Sequence, residues 1–257
     1  EGGGPAVHSR ASLRLIETES GVFTPAQVEA CIRPDDAHFP RSRLVCVENT
    51  HNLRGGRIWP LPAIQAVAAC AHKHGLLLHL DGARLLNAVV AEGVSARDYC
   101  NPFDSCWIDL SKGLGCPVGA VLAGSREFIA QAWRYKHLFG GAMRQAGILA
   151  AAGVYALEHH VARLAEDHAE AKKLAEGLAQ IKGIQVDVPA VETNIVMFDI
   201  AGAGVARTDF LKRLEPHGVR FSPLMQPTRL RAVTHLDIPV DGIERVLAVV
   251  RRILNLH

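Results

Sequence analysis

Asp81 opens the run Asp81-Gly82-Ala83-Arg84, and Lys112 stands in Ser111-Lys112-Gly113. Each follows an apolar run with strand character, and one strand–helix unit separates them. An acid and a lysine at neighbouring strand ends have a specific use. A pyridoxal cofactor needs a lysine amine for its Schiff base and a carboxylate beside its pyridine nitrogen. The carboxylate keeps that nitrogen protonated, so the ring can accept the electrons of a bond being broken. The lysine must be neutral for part of the cycle, which burial would promote. Alone, Lys112 reads as a loop lysine and Asp81 as a helix N-cap. Paired, with Arg84 one helical turn after Asp81 and small residues around Lys112, the cofactor reading outweighs both.

The elements that must hold these residues follow a regular order. Ser12 to Glu17 alternates like a strand. Thr24 and Pro25 start a helix as N-cap and first helical residue, carried by Ala26 to Ile32. Arg43 to Glu48 is a strand, Leu61 to His74 a helix stopped by Gly75, and Leu76 to Leu80 a buried strand ending in Asp81-Gly82. Ala83 to Ala91 is helical. Ser105 to Leu110 and Val118 to Ala123 are strands. This alternation argues for an α/β layer structure with a mainly parallel sheet, in which ligands bind beyond the carboxyl ends of the strands. Asp81 and Lys112 both stand there.

Beyond Ser125 the character changes. Ser125 to Leu138, Gln145 to His159 and Val161 to Ile181 read as helices. A second set of strands and helices follows: Ile184 to Val188, Ile195 to Ile200, Asp209 to Leu214, Val219 to Phe221, Leu230 to His235, and a last helix from Gly242. The reading is a large domain over residues 1–150, with linking helices and a smaller C-terminal α/β domain over 151–257.

Composition narrows the function classes. The chain has 257 residues, 28 basic and 26 acidic, a net charge of +2 with histidine neutral. That balance gives no reason to expect nucleic acid or an acidic membrane as partner. Hydrophobic residues at 49% and charged residues at 21% fit a globular protein with a sizeable core. No apolar run approaches the ~20 residues of a membrane span. No pair of the six cysteines is spaced Cys-x-x-Cys, so a structural zinc finger is not expected. Cys31, Cys46, Cys70 and Cys106 lie in apolar stretches, where free cysteine acts as a small hydrophobe and suits a reducing compartment, the cytoplasm or a mitochondrial matrix.

Five motifs in order carry a family resemblance: Val47-Glu48-Asn49-Thr50-His51-Asn52, Leu80-Asp81-Gly82-Ala83-Arg84, Leu110-Ser111-Lys112-Gly113-Leu114-Gly115, Gly140-Gly141-Ala142-Met143-Arg144-Gln145 and Arg231-Ala232-Val233-Thr234-His235. Together they resemble the L-threonine aldolases, fold type I pyridoxal-phosphate enzymes of the β-eliminating lyase/threonine aldolase group. The resemblance implies that Lys112 carries pyridoxal 5'-phosphate and that Asp81 pairs with its ring nitrogen. It implies that Arg84 bonds the ring oxygen or the substrate carboxylate, that Arg231 grips that carboxylate as a fork, and that Arg144 reaches the phosphate across a subunit boundary. His51 would stand near the β-hydroxyl and orient or accept its proton. His137 stands where the family often has a phosphate-binding lysine, with Lys136 one residue earlier. The implied reaction is aldol cleavage of threonine or allo-threonine to glycine and an aldehyde, in a homodimer or homotetramer. The alternatives are a β-eliminating lyase or racemase on the same fold, or a truncated or catalytically impaired aldolase-like subunit. The last follows from an expectation that Glu1-Gly2-Gly3-Gly4 corresponds to a stretch after the family's phosphate loop and ring-stacking residue.

The other histidines carry plainer readings. His72 and His74 suit a helix C-terminus. His79 reads as a packed core group. His159 and His160 face different ways on a helix.

Overall fold

The computed structural model describes residues 2–254; Glu1 and residues 255–257, which bound the two sequence-defined segments, lie outside the described residues. The elements are, in order, α1 (Gly4–His8), α2 (Pro25–Cys31), β1 (Leu44–Glu48), α3 (Leu61–Lys73), β2 (Leu77–Gly82), α4 (Leu85–Glu92), α5 (Ala96–Cys100), β3 (Ser105–Asp109), β4 (Ala120–Gly124), α6 (Arg126–Leu138), α7 (Gly147–His159), α8 (Leu164–Ala179), β5 (Gln185–Val186), β6 (Ile195–Asp199), α9 (Arg207–Leu214), β7 (Ser222–Pro223), β8 (Arg229–Val233) and α10 (Gly242–Leu254).

The first sheet has the order β1-β2-β3-β4. β1, β2 and β3 are parallel, and β4 runs antiparallel at the edge. The second sheet, order β5-β6-β8-β7, is antiparallel throughout. Two main cores result. One packs α2 and α3 on the first sheet through Val45, Val47, Ile64, Val67, Leu78 and Leu80. The other packs α8, α9 and α10 on the second through Leu174, Leu178, Phe198, Phe210, Leu230 and Val250.

Thr24 caps α2 in a reciprocal box. Its hydroxyl accepts from the Gln27 amide at 3.3 Å, and its own amide donates to the Gln27 side chain at 2.9 Å. Two sequence-based expectations change. The alternating segment Ser12–Glu17 forms no strand, because it pairs with no other strand; alternation without a ladder does not make a strand. The run Leu76–Leu80 was expected to be buried on both sides, yet only its alternate residues Leu76, Leu78 and Leu80 enter the core that α3 covers. Leu77, Leu44 and Cys46 project from the opposite face and are exposed. Cys46 therefore is no core residue, unlike Cys70. Strand periodicity sorts these side chains: successive residues alternate faces, and one face alone is covered by helices.

The two halves are joined by polar contacts. Glu192 pairs with Arg57 and accepts the Ile58 amide at 2.7 Å. The Thr193 hydroxyl donates to the Gly56 carbonyl at 2.8 Å. Within the C-terminal half, the Thr234 hydroxyl donates to the Asp167 carbonyl at 2.6 Å and ties the end of β8 to α8. At the carboxyl end of β2, Gly82 is obligatory: a Cβ there would strike the Trp107 carbonyl of β3.

Candidate active site

The carboxyl ends of β1, β2 and β3 bring Glu48, Asp81 and Trp107 into register side by side. All three stand on the face opposite α3, by the same two-residue alternation that buries Val47 and Leu80 and half-buries Cys106 on the α3 side. Asp81 accepts the Ala83 amide at 3.1 Å, which fixes the turn from β2 toward α4.

Beyond β3 the chain turns through Leu110-Ser111-Lys112. The Lys112 amine reaches back to the Asp109 carboxylate at 3.0 Å and lies 5.5 Å from the centre of the Trp107 ring. Burial raises the affinity of the Asp109 carboxyl for its proton. Hydrogen bonds from Ser111 and Lys112 outweigh that, and the group is held below the usual carboxylate range. Gly115 closes the turn with φ +70°, and a Cβ there would strike Leu236. Only glycine admits both the left-handed backbone and this contact between the halves.

Lys112 lines a cavity of about 260 Å³ together with Arg84, Ser111, Asn194, Val233 and His235. The turns that follow β2 and β3 contribute one wall and the residues beside β6 and β8 the other. Arg231, two residues before Val233 on β8, shares its face of the strand. Its guanidinium donates to the Asn52 side chain at 2.6 Å. Asn52 is itself placed by Glu48, whose carboxylate accepts the Asn52 amide at 3.0 Å.

Arg84 and Arg231 give the region its electrostatic character. Burial lowers the pKa of Arg84 from its ordinary value, and the positive charge of Arg231 lowers it further. Both residues keep a buried Nε without a hydrogen-bond partner. Two neighbouring cations with unused, desolvated donors form a site for an anion, and the planar guanidinium matches a carboxylate or phosphate.

The remaining sequence-derived residues divide. His51 lies on the loop after β1, half-buried, with Nδ1 3.8 Å from the Glu48 carboxylate and without a hydrogen-bond partner. A Cβ on Gly21 would collide with its ring, so the Gly21 turn seats the imidazole. Asp81, His51 and Arg231 are not among the residues that line this cavity. Arg144 is exposed in the turn between α6 and α7, away from Lys112's cavity wall.

Asp109, Trp107, Glu48, Asn52 and Asn194 did not emerge from the sequence. Asp109 and Glu48 each had a signal: both sit three residues before a candidate, Lys112 and His51, across a strand end.

The beta-eliminating lyase family model matches residues 1–201. The probable low-specificity L-threonine aldolase 2 of Arabidopsis thaliana is 41% identical over 99% of this chain and 73% of its own length. The low specificity L-threonine aldolase of Escherichia coli K12 is 38% identical over 96% of this chain and 72% of its own. The solved threonine aldolase of Leishmania major superposes with a TM-score of 0.77 at 19% identity, covering 98% of this chain and 75% of that one. That likeness fixes the fold as that of the fold type I enzymes. By its family match and these relatives, the chain belongs to the beta-eliminating lyase family, alongside the low-specificity L-threonine aldolases.

Proposed function

We propose that the chain is a pyridoxal-phosphate carbon–carbon lyase that cleaves threonine-type β-hydroxy amino acids to glycine and an aldehyde. The family implies dependence on pyridoxal phosphate, and its relatives are named for the aldolase activity. The observation that carries the reading to this site is the pair Arg84 and Arg231. Both hold unused buried donors beside a cavity whose wall is Lys112.

The residues present fit the cofactor. Lys112 would bond it covalently, Asp81 would pair with its ring nitrogen, and Arg84 would meet its ring oxygen or the substrate carboxylate. Pyridoxal phosphate, when bound, supplies the sink for the electron pair released as the Cα–Cβ bond breaks. The rest is the work of this chain. Arg231, held by Asn52, fixes the α-carboxylate and so the orientation of the bond to be broken. His51 takes the β-hydroxyl proton at its free Nδ1 or opposite nitrogen, with Glu48 3.8 Å away to stabilise the charge that forms. Lys112, displaced by the substrate amine and taking up its proton, would deliver a proton to Cα, and His51 would release the hydroxyl proton to solvent. Arg144, exposed in one chain, serves the phosphate of a second. The apolar residues exposed along α6 and α7, among them Trp133, Leu138, Phe139, Ile148 and Tyr155, support a homodimer or homotetramer, since patches of this extent mark subunit contacts.

Product identity tests the reading. L-Threonine supplied with pyridoxal phosphate is expected to give glycine and acetaldehyde in equal amounts. Ammonia with a keto acid would make the chain a β-eliminating lyase, inversion at Cα without cleavage a racemase, and no product an inactive subunit.

A further inference from the structure

A cluster of metal-ligating groups lies away from this site. Cys70 on the last turn of α3 and His74, which caps it, stand four residues apart, so their side chains share a face. Glu29, on α2, meets them across the packed helix pair. The Cys70 sulfur, a His74 ring nitrogen and a Glu29 carboxylate oxygen all lie within 4.8 Å of one another. Ligands of a tetrahedral zinc ion stand about 3.5 Å apart, given bonds of about 2.0–2.3 Å. Small side-chain rotations close the difference.

The present contacts show what each donor does without metal. His74 Nε2 lies 3.1 Å from Glu29 Oε1, and the Lys73 amine lies 3.5 Å from the same oxygen. The buried Cys70 thiol donates to the Pro25 carbonyl at 3.6 Å. Lys73 is 72% exposed and can swing into water when a cation takes its place.

We propose that Glu29, Cys70 and His74 form a site for a divalent metal ion of the zinc class, which clips α2 to α3. The donor set decides the class. A thiolate with an imidazole suits zinc and its neighbours, whereas magnesium and calcium take oxygen donors. Binding displaces the thiol proton of Cys70 to solvent, together with any proton on His74. The dication then faces one thiolate and one carboxylate, a neutral set, with the fourth position left for water. Because α3 ends where β2 begins, the cluster stands at the amino ends of the parallel strands. Lys112 and Asp81 stand at the carboxyl ends, roughly 16 Å away along the six residues of β2. The metal therefore acts on the stability of the α2–α3 pair and not on the reaction.

The test is cobalt(II) titration of the purified chain, stripped with chelator and without added pyridoxal phosphate. One equivalent is expected to give a thiolate-to-cobalt band in the near ultraviolet and the strong visible bands of a tetrahedral site, both abolished by zinc(II). Zinc(II) is expected to raise the thermal unfolding midpoint. Cys70→Ser should remove the thiolate band, and Cys31→Ser should keep it. Glu29 is half-exposed, so Glu29→Gln should fold, leave glycine release unchanged, and weaken cobalt binding by more than the roughly 10–100-fold that loss of a supporting partner costs. A titration without the thiolate band, a band that survives Cys70→Ser, or unchanged affinity in Glu29→Gln would overturn the assignment.

Discussion

The Lys112 amine lies 3.0 Å from the carboxylate of Asp109, three residues earlier across the end of β3. The carboxylate is 13% exposed and also accepts the Ser111 amide and hydroxyl, each at 2.8 Å. The turn that presents the lysine is therefore organised by the same acid that holds its charge. The contact aims the amine across the turn, and capture of a carbonyl depends on that aim. We expect Asp109→Asn to slow cofactor capture, followed by visible absorption. An unchanged rate would remove Asp109 from that step.

Arg231 depends on Asn52 for its aim, through the 2.6 Å bond. Hydrogen bonds to charged groups are worth about 1.5–3 kcal/mol, so Arg231→Lys, which loses the fork, should lower kcat/KM for L-threonine by roughly 10–150-fold. Asn52→Ala leaves the guanidinium charged but unaimed. It should raise KM with a smaller change in kcat. Steady-state kinetics of glycine release separate the two, and equal effects of both variants on kcat alone would contradict this role.

His168 on α8 links the halves of the chain by accepting from the Asn87 amide of α4 at 3.1 Å. Burial lowers its pKa to about 4. A histidine held neutral in the folded state stabilises fully above its unfolded pKa of about 6.5, and that stability is lost as pH falls from there toward 4. With its partial exposure discounted, the loss is on the order of 2 kcal/mol. Urea unfolding at pH 7.5 and pH 5 should show the decline in the wild type and a smaller one in His168→Gln, which retains an acceptor.

Tyr99 of α5 is fully buried, and its hydroxyl has no hydrogen-bond partner. Burial pushes its pKa up to about 12. The phenol must stay protonated in the fold, so stability falls as pH rises from about 10 toward 12. Tyr99→Phe removes an unsatisfied group and should stabilise the chain by on the order of 1 kcal/mol. It should also flatten the alkaline decline. A destabilised variant in urea unfolding would show that the hydroxyl is satisfied.

Much of the scaffold was legible in the residues because the signals were local. Thr24-Pro25 marks the start of α2, Gly75 the stop of α3, and the runs before Asp81 and Lys112 the strands that lead to them. Lys112 and Asp81, the residues proposed to hold the cofactor, stood out for the same reason: each stands at or just past its own strand end. What escaped was set by pairing across distance. Ser12–Glu17 carries strand alternation but finds no neighbour. Leu77 looks like core, yet which face a helix covers is decided by α3. The Arg84–Arg231 pair joins β8 to the start of α4, and Asn52's bond to Arg231 spans 179 positions. No sequence window contains both ends of such a contact. Asp109 alone was within reach, at three residues from Lys112.

Reductive trapping tests the Lys112-centred site most directly. The purified chain is loaded with pyridoxal phosphate, treated with borohydride, digested and mapped by mass spectrometry. The cofactor mass should fall on the peptide that contains Lys112, and Lys112→Ala should show none there and release no glycine from L-threonine. Cofactor fixed on another lysine, or glycine release that survives Lys112→Ala, would contradict the site.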